Sequence, residues 1–195
     1  VTYHAARTPA PGEAPVVFTF HGTGGDERQL HDLGAALVPG AHVVSPRGDV
    51  DEMGHARFFR RTAEGIYDMD DLGRRVEAMA AFIDSESGDA PRAVGIGYSN
   101  GANILAATAF RHPALLDTLV LMHPLIPWTP DPQPGLAGRR VLVTAGRQDP
   151  IAPASGSQAL AAWLTDQGAE VTLDWQPGGH EVRPAEIDAI RRFLA

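Results

Sequence analysis

Cysteine is absent from the 195 residues, which removes disulfides, thiolate metal sites and cysteine nucleophiles together. No apolar run approaches the roughly 20 residues that a membrane-spanning helix requires. Positive charge is also short. With 16 Lys and Arg against 24 Asp and Glu, the formal net charge is -8, which argues against a nucleic-acid partner. Arginines do come in pairs (Arg60-Arg61, Arg74-Arg75, Arg139-Arg140, Arg191-Arg192), but acids interleave them, as on solvated faces. The N-terminus, "VTYHAARTPAPGEAP", lacks the basic-then-apolar pattern of a secretory leader, although a chain starting at Val1 leaves processing open. The expectation is a cytoplasmic protein with no membrane span.

The composition that remains, 44% hydrophobic and 21% charged, suits one domain over residues 1–195 with a sizeable core. There is no internal repeat, and the Pro-rich stretch 123–135 is too short to separate domains. Short apolar runs at 16–20, 42–45, 93–97, 118–122, 141–145 and 171–175 read as strands. Most are nearly continuous in apolar residues, as in parallel strands covered on both faces. Helical patterns fall between them at 26–37, 68–87, 100–112, 155–168 and 183–194. In the second of these, Leu72, Val76, Met79 and Ile83 share one face. This alternation predicts a compact α/β fold, a doubly wound, mostly parallel sheet of about six or seven strands. In such sheets the chemistry gathers where strands end.

Gly97-Tyr98-Ser99-Asn100-Gly101 matches G-x-S-x-G and lies where a strand runs into a small-residue helix. A sharp turn there holds a serine hydroxyl clear of the sheet, and side chains at 97 and 101 would collide across it. A serine becomes a nucleophile only with a base and an acid to orient that base. Asp149 follows the strand at 141–145, and His180 follows the strand at 171–175 in a glycine-rich loop, which is the chain order the architecture requires. Asp131 is the next acid candidate; Asp174 lies within a strand and Glu181 adjoins the histidine. His4, His31, His42, His55 and His112 read as surface or local structural residues. His123 reads as buried and hydrogen-bonded, and His21 as a brace for the loop after it.

That loop, "HGTGGDE", offers free backbone N–H groups to an anion. It lacks the Lys-Ser/Thr of a P-loop and the third glycine of a dinucleotide fingerprint. Asp26 and Glu27 would repel a permanent phosphate, so a transient oxyanion fits better, with Thr23 and Asn100 supplying the N–H donors. Helix capping is the expected task of the two acids.

The segments "HGTGGDE", "SPRGDV", "RFFRR", "GYSNGA", "GRQDPIAP" and "GGHEV" together resemble the bacterial phospholipase/carboxylesterase family of α/β-hydrolases, relatives of the acyl-protein thioesterases. Within it the chain is most similar to the hydroquinone-linked subgroup. The resemblance runs from about residue 15 to the end and implies a Ser99, Asp149, His180 triad with Thr23 and Asn100 at an oxyanion hole. It departs at the oxyanion motif, where the thioesterases carry His-Gly-aliphatic-Gly-Asp.

Only about 18 residues separate the strands ending at Met122 and starting at Val141, too few for a large lid. An open pocket follows, with Phe58, Phe59, Tyr98, Leu125, Ile126 and Trp128 as its expected lining and small or short-to-medium acyl esters as its expected substrates. Thioester or lysophospholipase-like chemistry on the same triad, or a non-catalytic small-molecule binder on this scaffold, are the alternatives. No cofactor is expected, and no His/Asp/Glu set has metal-ligand spacing on one element. Arg47, Arg57, Arg60 and Arg61 are read either as partners of nearby acids or as a site for a substrate carboxylate or phosphate. A monomer and a homodimer are equally compatible with the sequence.

Overall fold

All six apolar runs form strands in the computed structural model, which describes residues 3–195. They are β2 (Val16–Phe20), β3 (His42–Pro46), β8 (Ala93–Tyr98), β9 (Thr118–Met122), β10 (Arg140–Gly146) and β11 (Glu170–Gln176). A seventh strand, β1 (Ala5–Thr8), pairs antiparallel with β3 at one edge, and the other six are parallel. The sheet order is β1-β3-β2-β8-β9-β10-β11. Strand order reverses between β2 and β8, where Phe20 lies in register with Gly97. The loop after β2 and the turn after β8 therefore leave the sheet side by side, at the crevice where ligands bind in such sheets.

Helices cover both faces. α2 (Met69–Ser87), α3 (Asn100–Arg111) and α4 (Ala154–Asp166) pack on the face that carries Val16, Phe18 and Phe20. α1 (His31–Leu37) and α5 (Pro184–Leu194) pack on the other face, against Val17, Val94 and Leu142. The alternation within β2 reflects the two-residue period of a strand. In α2, Leu72, Val76, Met79 and Ile83 are all buried, and Asp68 caps its start by accepting the Asp71 N–H at 2.9 Å.

α1 begins later than the acids at 26 and 27 suggest. Its N-cap is Leu30, without a side-chain bond; Asp26 instead closes a turn by accepting the Arg28 N–H at 2.9 Å. Glu27 faces Arg47 at 3.8 Å and His4 at 3.3 Å. These acids serve the loop, not the helix. Residues 50–67 fold into two small antiparallel hairpins, β4 (Val50–Glu52) with β5 (His55–Arg57), and β6 (Arg61–Ala63) with β7 (Ile66–Tyr67). The connection from β9 to β10 holds only a 3-10 turn, Pro134–Leu136, so no large lid is inserted there. Among the described residues no helix is long and apolar enough to cross a membrane.

Candidate active site

Ser99 sits between β8 and α3 with φ 53°, in the left-handed region that costs a non-glycine residue about 1–3 kcal/mol. The turn is held by the Ser99 N–H donating to the Met122 carbonyl at 2.8 Å and the Asn103 N–H donating to the Ser99 carbonyl at 3.0 Å. Close packing keeps both flanking glycines. A Cβ on Gly97 would meet the Gly101 carbonyl at 2.6 Å, and one on Gly101 would meet the Phe20 carbonyl at 2.1 Å.

The Ser99 hydroxyl lies 2.8 Å from His180 Nε2, and His180 Nδ1 lies 2.7 Å from Asp149 Oδ2. His180 is carried by a loop laid across the end of β10. The Gln148 N–H donates to the Gly178 carbonyl at 2.9 Å, and a Cβ on Gly146 would stand 1.9 Å from the Gly179 carbonyl. Tyr98 steadies the same loop, its hydroxyl donating to the His180 carbonyl at 2.8 Å. Burial, with Asp149 close by, pushes the Tyr98 phenol pKa up, so it stays a donor.

Asp149 has no exposed side-chain surface. Its Oδ1 accepts the N–H groups of Ile151 (2.8 Å) and Ala152 (2.9 Å). Burial alone would raise its pKa, but the Ala152 N–H, the His180 ring and the Ile151 N–H outweigh that and hold it below the usual carboxylate value. Oδ2 carries a second imidazole: His123 Nδ1 lies 3.1 Å away. The other ring nitrogen of His123 faces Glu186 Oε2 at 3.3 Å, and Glu186 Oε1 accepts the Thr144 hydroxyl at 2.5 Å. Both His123 and Glu186 are wholly buried. Burial opposes a charge on His123, yet the bonds and charges of Glu186 and Asp149 prevail and raise its pKa.

His123, Asp149 and His180 bring three ligand-type atoms within 4.8 Å of one another, a cluster assembled from three separate elements. Each imidazole has a ring nitrogen at hydrogen-bond distance from the same carboxylate oxygen, so these nitrogens carry protons rather than open lone pairs for a cation.

The loop after β2 is pinned by His21, whose Nδ1–H donates to the Gly22 carbonyl at 2.7 Å while Nε2 accepts the Gly48 N–H at 2.9 Å. Those bonds require a neutral ring, and burial lowers its pKa accordingly. The Gly24 N–H reaches the Ala56 carbonyl at 3.0 Å, and the Gly25 N–H reaches the Gly22 carbonyl at 3.0 Å. Among the described residues, the N–H groups of Thr23 and Asn100 have no such acceptor.

No family model matches the chain. A Bacillus subtilis (strain 168) protein named "Putative hydrolase MhqD" is 37% identical over 182 residues, spanning 91% of each chain. The chain belongs to the MhqD-like α/β-hydrolases. Two solved structures of similar proteins agree. A Bacillus cereus carboxylesterase is 36% identical with a TM-score of 0.93 over 98% of this chain and 93% of that one. The Agrobacterium tumefaciens (str. C58) protein Atu2452, of unknown function, is 51% identical with a TM-score of 0.94 over 98% and 95%. Fold, relatives and the Ser99–His180–Asp149 geometry make this MhqD-like chain an esterase-like serine hydrolase.

The cavity beside Ser99 in this MhqD-like hydrolase holds about 250 Å³ and is more polar than the sequence suggests. Thr23, Arg57, Arg61, Tyr98, Asn100 and His180 contribute to it. Of the six residues expected as lining, only Tyr98 is there. Phe58 and Phe59 are fully buried beneath the hairpins, where they pack on Phe20, His21 and Tyr67. Ile126 and Trp128 border a different hollow against α4, and Leu125 gives its carbonyl to the Tyr67 hydroxyl at 2.8 Å. A larger groove of about 610 Å³, lined by Met69, Phe110, Trp128 and Asp131 among others, contains none of the Ser99 group. Asp131 is exposed in that groove and has no bond to His180. Sequence reasoning missed Glu186, a carboxyl group on the buried face of α5, whereas Arg57 and Arg61, two of the four arginines read as acid partners or as a site for a substrate anion, do line the cavity.

Proposed function

We propose that this protein is a carboxylesterase-type hydrolase of small carboxylic esters, built as one α/β-hydrolase domain, with Ser99 as its nucleophile. The observation that carries the reading is the pair of contacts on His180: 2.8 Å to the Ser99 hydroxyl and 2.7 Å to Asp149. His180 Nε2 takes the hydroxyl proton as Ser99 Oγ attacks the ester carbonyl. Asp149 fixes the tautomer with Nδ1–H and favours the imidazolium that forms. The tetrahedral oxyanion then accepts hydrogen bonds from the free N–H groups of Thr23 and Asn100. Losing one such donor costs about 10²–10³ in rate in comparable sites. His180 returns its proton to the leaving alkoxide, and a water activated by the same ring releases the acyl group.

The cavity volume favours a short substrate over a long lipid chain. A cytoplasmic setting belongs to the same reading and is tested by cell fractionation. The direct test replaces Ser99 with Ala and follows hydrolysis of a short p-nitrophenyl ester. A loss on the order of 10⁴-fold or more is expected, together with loss of labelling by a fluorophosphonate. Full turnover by the variant would remove Ser99 from the mechanism.

A further inference from the structure

The cavity beside the Ser99–His180 pair is also lined by Arg57, a cation whose carboxylate partner is shared with a second arginine. The Arg57 side chain is only 3% exposed. Its Nη1 donates to the Thr23 hydroxyl at 2.6 Å and its Nε to the Phe59 carbonyl at 3.3 Å. Among the described residues, Glu52 is its carboxylate partner, at 3.9 Å. Both oxygens of Glu52 are already engaged by Arg61, at 3.0 and 2.9 Å. Arg57 Nη2 has no hydrogen bond among the described residues. Burial, followed by the neighbouring Arg61 charge, lowers the Arg57 pKa.

A second unpaired donor belongs to Asn100, another residue of the cavity lining. Asn100 accepts the Phe58 N–H through Oδ1 at 2.8 Å, which forces its NH₂ the other way, and that buried Nδ2 has no partner. Phe58 is the residue next to Arg57, so the two free donors are tied to one short stretch of chain. The remaining polar groups are committed. Asn103 Nδ2 donates to the Tyr67 hydroxyl at 2.9 Å, and that hydroxyl donates to the Leu125 carbonyl at 2.8 Å.

We propose that the preferred substrates are short esters that also carry a free carboxylate, held by Arg57 Nη2 and Asn100 Nδ2 while the ester carbonyl faces Ser99. A planar carboxylate can take a guanidinium N–H and an amide N–H at once. Arg57 and Arg61 line the cavity and share Glu52, and Glu64 pairs with Arg61 as well, so these four charges cancel and a ligand carboxylate would be held by the free guanidinium N–H rather than by an excess of positive charge. Half-esters of short dicarboxylic acids supply that carboxylate and fit the volume. The chemistry is ordinary hydrolysis: water cleaves the acyl–oxygen bond, giving an alcohol and a second carboxylate, while the first carboxylate is unchanged.

This rests on the esterase reading, and its test separates the two. Monomethyl glutarate and dimethyl glutarate differ only in whether the far end is charged; their hydrolysis is followed by pH-stat titration. The wild-type protein is expected to favour the monoanion in kcat/KM by about 10–100-fold, the range of a hydrogen bond to a charged group. Arg57→Gln should lower that preference ratio toward one, and Arg57→Lys should keep part of it. Because Arg57 also braces Thr23, the ratio rather than the absolute rate is read. Should Arg57→Gln not fold, Ser99→Ala provides the second measurement: calorimetry should show tighter binding of the monoanion than of the diester by a similar factor. Equal or inverted preference in wild type, an unchanged ratio in Arg57→Gln, or equal binding by Ser99→Ala would overturn the proposal and leave Arg57 as a brace for Thr23. None of those outcomes bears on whether Ser99 is the nucleophile, which the p-nitrophenyl ester decides.

Discussion

Replacing Glu186 with Gln tests the buried layer beneath the Ser99 site most directly. The substitution preserves shape and removes one of the two carboxyl groups that face the His123 ring. Glu186 also accepts the Thr144 hydroxyl at 2.5 Å and the Arg183 N–H at 3.3 Å. A glutamine can keep its oxygen toward His123 and Arg183 by turning its NH₂ to Thr144, whose hydroxyl can rotate to accept. What it cannot replace is the negative charge beside a histidine whose raised pKa favours the imidazolium. The loss is one charge-assisted hydrogen bond, about 1.5–3 kcal/mol. For a chain of this size each kcal/mol shifts the midpoint by about 2–4 °C, so a drop of about 3–12 °C is expected at neutral or mildly acidic pH.

The pH dependence discriminates further. A histidine with a raised folded-state pKa stabilises fully below its unfolded value, about 6.5, and that contribution disappears as pH rises through the folded pKa. The gap between wild type and Glu186→Gln should therefore be widest near pH 5.5 and narrow toward pH 9. Asp149, with its pKa lowered, contributes stability that is lost only as pH falls through a value below 3.8, outside this window. Calorimetric melts at pH 5.5, 7.5 and 9 measure the gap. A difference that is absent, constant or wider at high pH would refute the charged His123 bridge.

Two further substitutions probe the placement of His180. Gly146→Ala puts a methyl group against the Gly179 carbonyl, which must move the loop that carries the base; a displacement near 1 Å predicts a fall of about 100-fold in kcat/KM, read by ester hydrolysis. An activity within about threefold of wild type would show that the loop yields without moving the imidazole. Tyr98→Phe removes the hydroxyl bond to the His180 carbonyl, worth about 0.5–1.5 kcal/mol, so turnover should fall by no more than about tenfold and the melting point by a few degrees.

Most of the sheet was legible because a parallel strand covered on both faces is a short, almost unbroken apolar run, and glycine, proline or acids mark its ends. β1 escaped because "AART" is a half-exposed edge strand with no such run. Its pairing with β3 is a tertiary fact. The hairpins at 50–67 escaped for a related reason: they are two or three residues per strand, and positive-φ turns at Met53, Gly54 and Gly65 shape them more than any period does. The Ser, Asp, His order was legible because each residue follows a strand, and the buried, bonded reading of His123 and the bracing reading of His21 both match the structure. The aromatic lining was not legible. Phe58 and Phe59 are consecutive and yet both wholly buried, because the chain around them turns over the core instead of running as a strand. Glu186 left a usable signal: it shares a helix face with Ala189, Ile190 and Leu194, where a charge calls for a buried partner.

Two non-glycine residues with left-handed backbone, Ser99 (φ 53°) and His123 (φ 50°), end the adjacent strands β8 and β9. Each is stitched to the next strand: the Ser99 N–H bonds the Met122 carbonyl, and the His123 N–H bonds the Thr144 carbonyl at 2.9 Å. The first turn holds a hydroxyl at the cavity, and the second sends an imidazole into the core. Asp149, just past β10, receives both consequences, because the same carboxylate oxygen meets His180 from the cavity side and His123 from below. One hydrogen-bonded column therefore runs from Ser99 through His180, Asp149 and His123 to Glu186 and Thr144. Cutting that column at Glu186 is expected to cost stability first, because the 2.7 Å bond that aims His180 does not pass through the severed contact. Cutting it at Asp149 removes the acceptor of both imidazoles, so activity and stability should fall together.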